Sequence, residues 1–188
     1  MEYEDEQHKS HPPKTKKRNA NHTELVSVDS TTSTDWVDRY GRDGYFLFDH
    51  QGNAAQQNTL PDYVEKIVWK NEGTGAPRLG NWPLDGHGPL PILATQNPMA
   101  CYQTYCLDIL AQPEKVYQFT LRTAELGTNG KFVIDLFDER TKNLIHPTIL
   151  VKTTGNVRYY TFRTRGPVRV RLSHVAGEDA GLSGIFFQ

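Results

Sequence analysis

From Gly44 to Phe187 the apolar residues come in short bursts at every second position, and the bursts are separated by clusters of Gly, Pro and Asn. "VYQFTLR" places Tyr117, Phe119 and Leu121 on one side of a strand, and "KFVIDLF" does the same with Phe132, Ile134 and Leu136. Strands are predicted at Gly44–Phe48, Tyr63–Trp69, Ala100–Leu107, Val116–Thr123, Phe132–Asp138, Thr148–Thr153, Arg158–Thr164, Val168–Val175 and Gly181–Phe187. No segment between them carries a helical apolar stripe of about ten residues or more, so crossover helices and a parallel sheet are not expected. The predicted fold class is all-β: an antiparallel two-sheet β-sandwich, jelly-roll-like, of about nine strands. No internal repeat points to a propeller or a solenoid.

In "RYYTFRTRGPVRVRLSHV" the alternation assigns Tyr160, Phe162, Val168, Val170 and Leu172 to the core and leaves Arg163, Arg165, Arg169 and Arg171 facing outward. A hairpin with Phe162 and Val170 as direct partners closes through the turn Arg165-Gly166-Pro167, with Gly166 at positive φ. That register sets Arg163 opposite Arg169, a like-charge pair that costs roughly a few tenths of a kcal/mol. A neighbouring carboxylate such as Asp135, on a solvated face, is the plainer source of neutralisation. A bound anion such as a sulfated or uronic sugar is the sharper one, making Arg163, Arg165, Arg169 and Arg171 candidate anion-binding residues.

Residues 1–28 are polar, with Glu2, Glu4, Asp5 and Glu6 followed by Lys14, Lys16, Lys17 and Arg18. They hold too little apolar area to offset their ordering entropy, and a disordered charged tail is expected there. Residues 29–188 form a single sandwich domain, a size that accommodates one core. The net charge is -1, so no global excess draws the chain to nucleic acid or to an anionic membrane. With no apolar run of transmembrane length and no secretory leader pattern at the start, the chain reads as soluble. It is cytoplasmic if it stands alone and extracellular if it is part of a longer secreted protein. Cys101 and Cys106 are five residues apart, on opposite faces of a strand and roughly 16 Å from each other, so they are expected as thiols.

Catalytic signatures are sparse. The seven His are scattered, and there is no zincin motif, nucleophile elbow, phosphate loop or dinucleotide fingerprint. A small polysaccharide lyase or hydrolase using the arginine face is therefore the third-ranked function, since paired carboxylates are drawn from any two strands. The stretch "NEGTGAPRLGNWPLDGHGPLPILATQNP" carries more information. It reads as a long Pro/Gly-rich loop with Trp82 among Asn81, Asp85 and His87. A Trp face beside short polar side chains suits a sugar ring and its hydroxyls, with Tyr102 and Tyr105 as further platform candidates. The alternative is that Trp82 plugs the loop onto the sandwich. Asp35, Asp38 and Asp43 are a weak candidate set for a structural calcium; no other cofactor is expected.

The run "TDWVDRYGRDGYFLF", the later "LPDYV" and the terminal "AGEDAGLSGIFF" resemble the C-terminal β-sandwich module of many bacterial secreted glycoside hydrolases and other polysaccharide-active enzymes. The matching residues are Trp36, Tyr40, Gly41, Asp43, Gly44, Tyr45, Leu60, Pro61, Tyr63, Leu182, Ser183, Gly184, Phe186 and Phe187. The family's central "Y..D.D..gR" has no clear counterpart here. The resemblance implies a non-catalytic carbohydrate-binding or accessory module whose partners are a polysaccharide and a parent catalytic domain or partner protein. A structural or protein-interaction module is the alternative. The "DWVDRYGRDGY" run itself is expected to be a folding signature, with Trp36 and Tyr40 closing one end of the sandwich.

Overall fold

A computed structural model of the chain describes residues 22–32, 36–47, 58–71, 78–83, 89–94, 104–125, 128–177 and 180–188. Among them are thirteen strands and one short helix. The first six strands and the helix are β1 (Glu24–Asp29), α1 (Trp36–Tyr40), β2 (Gly44–Leu47), β3 (Asn58–Thr59), β4 (Val64–Asn71), β5 (Arg78–Pro83) and β6 (Pro89–Ala94). The remainder are β7 (Thr104–Ala111), β8 (Val116–Glu125), β9 (Lys131–Asp138), β10 (Leu144–Lys152), β11 (Val157–Arg165), β12 (Val168–Ala176) and β13 (Ala180–Phe187).

Two antiparallel sheets form the sandwich, in the orders β1-β11-β8-β13-β2-β3 and β10-β9-β12-β7-β4, while β5 and β6 pair only with each other. The alternating positions read from the sequence line the interior. Phe46, Phe119, Leu121, Phe162, Ile185 and Phe187 come from the six-stranded sheet, and Leu107, Ile109, Ile134, Leu136, Val168 and Val170 from the five-stranded one. Phe119 and Phe162 stack at 5.3 Å between centroids, the cross-strand pair set by the β11–β8 register.

Four sequence expectations change. First, β11 and β12 are not a hairpin: they lie in opposite sheets, and the chain crosses the sandwich at Gly166-Pro167. Phe162 and Val170 are both core because the inner faces of two sheets look at each other, a pattern that alternation alone cannot distinguish from a hairpin. Gly166 does take positive φ, at 69°, with its amide on the Lys115 carbonyl (2.9 Å) and its own carbonyl accepting the Tyr117 hydroxyl (3.1 Å). The crossing is thereby pinned to the β7–β8 turn. Consequently Arg163 is not opposite Arg169; it pairs with Gln118 and Glu24, while Arg169 pairs with Asp108 and Phe137.

Second, residues 24–28, assigned to the polar tail, belong with Asp29 to an edge strand on β11. Only one face of one edge strand is partly covered, so β1 needs little apolar sequence and is held by ladder hydrogen bonds. Its register slips at Val26, an edge bulge of the kind that discourages pairing with another chain. Third, the long Pro/Gly-rich loop contains the β5–β6 ribbon, and fourth, the signature run contains a one-turn helix. The expected tail from residue 1 to 21 lies outside the described residues.

Candidate functional site

The signature residues build scaffold. Trp36 and Tyr40 of α1 pack with Leu47, Tyr159 and Phe186 on the outer face of the six-stranded sheet, a second apolar cluster. Trp36 meets Phe186 at 4.7 Å between centroids, and Tyr40 stacks on Tyr159 at 4.8 Å. Asp29, at the end of β1, gathers the segment around it. Its carboxylate accepts the Tyr40 hydroxyl (2.5 Å), the Thr32 hydroxyl (2.5 Å), and the amide and hydroxyl of Thr31 (both 2.7 Å). Burial alone would raise the Asp29 carboxyl, but these bonds from Thr32, Tyr40 and Thr31 overcome it and hold the group well below the usual carboxylate range. Burial and the Asp29 carboxylate push the Tyr40 hydroxyl up to about 12.

"DGY" and "LPDYV" hold each other. Gly44 has φ 153°, and a Cβ there would strike the Thr59 carbonyl, so only glycine fits where β3 returns. Tyr63 donates its hydroxyl to Asp43 at 3.1 Å, and burial together with the Asp43 charge raises it above the ordinary tyrosine range. Asp43 thus accepts the Tyr63 hydroxyl and Asp38 is exposed on α1, while Asp35, the third calcium candidate, lies outside the described residues. Among the described residues no three His, Cys, Asp or Glu side chains gather as a metal site. Cys106 is fully buried, and Cys101 lies outside the described residues.

The four candidate anion-binding arginines divide between the two sheets. Arg163 and Arg165 are exposed at the end of β11, with Glu114 4.0 Å from Arg165. Arg169 and Arg171 lie on the outer face of the five-stranded sheet, each with its own carboxylate. Arg169 grips Asp108 through Nε (2.6 Å) and Nη2 (2.9 Å), and Arg171 meets one oxygen of Asp135 through Nη2 (2.8 Å) and Nε (3.2 Å). The other Asp135 oxygen accepts the Thr148 hydroxyl at 2.6 Å, tying β10, β9 and β12 together. The Arg171 guanidinium also lies 4.6 Å from the Phe137 ring centroid. The sequence offers Asp135 as the neutraliser of an Arg163–Arg169 pair; that pair does not form, and Asp135 is matched instead to Arg171 while Asp108 takes Arg169. Asp108 was missed because a single acid inside "YCLDILA" looks incidental until a neighbouring strand brings Arg169 to it.

The aromatic-platform candidates fall at three places. Asn81 and Trp82 are on β5, opposite Pro91 and Leu90 of β6, in a separate two-stranded sheet whose β6 runs beside β13. Being consecutive on one strand, these two positions alternate between the ribbon faces. Asp85 and His87 fall in the 84–88 connection and Tyr102 precedes β7, all outside the described residues. Tyr105 is on β7 opposite Leu172. That strand belongs to the five-stranded sheet, and β5 and β6 hydrogen-bond only to each other.

No protein-family model matches the chain, and no curated protein matches it. Solved structures are similar in part. The enzymatically active domain of bacteriophage CBA120 tailspike protein 4 aligns over 65% of this chain and 19% of its own length, at 12% identity and TM-score 0.42. The carbohydrate-binding module TmCBM61, solved in complex with β-1,4-galactotriose, aligns over 64% of this chain and 87% of its own, at 14% identity and TM-score 0.45. The module CBM35 of Abf62 from Cellvibrio japonicus aligns over 64% of this chain and 91% of its own, at 17% identity and TM-score 0.39. The sandwich assignment itself rests on the strand order and register of this chain.

Proposed function

We propose that this chain is a non-catalytic carbohydrate-binding or accessory module, taking polysaccharide at the β5–β6 ribbon with Trp82 as the aromatic platform. The observation supporting the reading is that β5 and β6 hydrogen-bond only to each other and extend neither sheet, although β6 runs beside β13, whereas the aromatic residues of the signature are buried in scaffold. A Trp on a two-stranded element that joins neither sheet supplies the kind of flat apolar face that stacks on a sugar ring. Asp85 and His87, in the connection between β5 and β6, are the hydroxyl partners proposed beside it. In this reading the signature run fixes the module's fold, and the module works beside a polysaccharide-active partner domain.

The test is affinity gel electrophoresis of the full chain across neutral and acidic polysaccharides, with Trp fluorescence in parallel. Retardation by at least one polymer, abolished in Trp82→Ala at unchanged thermal midpoint, is the expected result. Absence of retardation and of any fluorescence change across the panel would reject the carbohydrate reading and favour an interaction module. Full binding by Trp82→Ala would reject the ribbon.

A further inference from the structure

The outer face of β10, β9 and β12 presents an unusual pairing. Lys131 and Lys152 are direct cross-strand partners, both exposed, and neither forms an ion pair with any described residue. Like charges placed opposite each other on a ladder work against the fold. The arginines of the same face are each matched to an acid, so a bare lysine pair beside them stands out. Arg158 reaches the same end, donating to the Lys152 carbonyl at 3.1 Å, which adds a third cation there.

Next along the ladder come Val133 and its partner Leu150, followed by the row of Asp135 and Arg171. Leu150 is 56% exposed, and Val175, on β12 across β9 and at the register shift between His174 and Ala176, is 46% exposed. Beyond them lies Arg171, its guanidinium plane set by Asp135 and Phe137, with Nη1 bonded to no described residue. Lys131 and Asp135 are four positions apart on β9, about 13 Å along the strand. The face is thus a partly exposed apolar strip with an unmatched lysine pair at one end and the Arg171–Asp135 pair, with Arg171 Nη1 bonded to no described residue, at the other.

We propose that this face binds an acidic polysaccharide, its carboxylate or sulfate groups meeting Lys131, Lys152 and Arg171 and the apolar faces of its sugar rings meeting Val133, Leu150 and Val175. The proposal rests on the carbohydrate reading of the module but on different residues from the ribbon. Charge complementarity selects an acidic polymer: the two groups of this face without an acidic partner among the described residues, Lys131 and Lys152, are both cationic, and a ligand carboxylate between them relieves their repulsion. A planar, pre-oriented guanidinium at the other end suits a carboxylate or sulfate fork. Because the whole chain carries a net charge of -1, attraction to a polyanion has to be local, and removing two lysines should expose it.

The experiment titrates the full chain, its Lys131→Gln/Lys152→Gln variant and Trp82→Ala with polygalacturonate, dextran sulfate, unmodified dextran and phosphatidylserine vesicles. Polygalacturonate or dextran sulfate is expected to bind the parent in a salt-dependent manner, and the double variant to lose at least tenfold in affinity with a shallower salt dependence. The two acidic polymers distinguish carboxylate from sulfate as the preferred group. Both lysines are exposed and their repulsion works against the fold, so the variant should keep or slightly raise its thermal midpoint. Equal affinity of parent and double variant for the acidic polymers would overturn the proposal, as would a lysine-dependent affinity for vesicles alone. If Trp82→Ala binds as the parent does while the double variant fails, the ribbon falls and this face stands. The converse result rejects this face and leaves the ribbon.

Discussion

Tyr40 and Asp29 meet at 2.5 Å, and through that bond the one-turn helix is fastened to the first strand of the sandwich. The ring of Tyr40 lies against Tyr159 at the same time, so one side chain joins α1, β1 and β11. Asp29→Asn and Tyr40→Phe should each destabilise the domain by about 1–3 kcal/mol, the cost of leaving a buried partner unsatisfied. Chemical denaturation checks this, and the double variant should fall short of the sum of the singles because both remove one interaction.

The same pair sets two pH limits. The folded Asp29 pKa is depressed, so its contribution is present above the ordinary carboxylate range, near about 4, and is lost as pH falls toward the folded value. Tyr40 is raised to about 12, so its contribution is present below the ordinary tyrosine value of about 10 and is lost as pH rises through the folded value. Thermal midpoints of Asp29→Asn should be flatter than those of the parent below about pH 4. Tyr40→Phe should flatten the alkaline limb only partly, since Tyr63 and Tyr117 are raised as well.

Asp108 and Arg169 form a buried pair, with side-chain exposures of 2% and 16%. Breaking it from one side strands a charge. Asp108→Asn should cost about 3–5 kcal/mol, whereas replacing both residues by apolar ones of similar size should come close to neutral. Urea midpoints of the single and double variants measure the contrast, and a single variant as stable as the parent would contradict the geometry.

Gly166 sits at φ 69° where the chain changes sheets, and a Cβ there would lie 2.6 Å from the Pro113 carbonyl oxygen. Gly166→Ala should therefore lose about 1–3 kcal/mol through backbone strain and displacement of the β7–β8 turn. Arg163→Gln, by contrast, should change stability by no more than about 0.5 kcal/mol, because that side chain is exposed and is not opposite Arg169. A large effect at Arg163 would restore the hairpin register that the sheet order excludes.

Sequence alone determined which residues of the long strands are core. Phe119, Leu121, Ile134, Phe162 and Val170 are buried where alternation put them, because the two-residue period of a strand is a local property of the backbone. It also marked Gly166 as a positive-φ position and the "DGY" run as scaffold. Which sheet a strand joins is not local, and tertiary structure alone decided it. β11 and β12 carry the same alternation in a hairpin or in a crossing, and only pairing with β8 on one side and with β7 and β9 on the other separated Arg163 from Arg169. Edge strand β1 escaped notice for a related reason: a strand covered on part of one face needs few apolar residues, and ladder hydrogen bonds leave no mark in the sequence. Charge matching belongs with these. Asp108 found Arg169, and Lys131 came to face Lys152, through register between strands far apart in the chain or across a turn, where no spacing rule reaches.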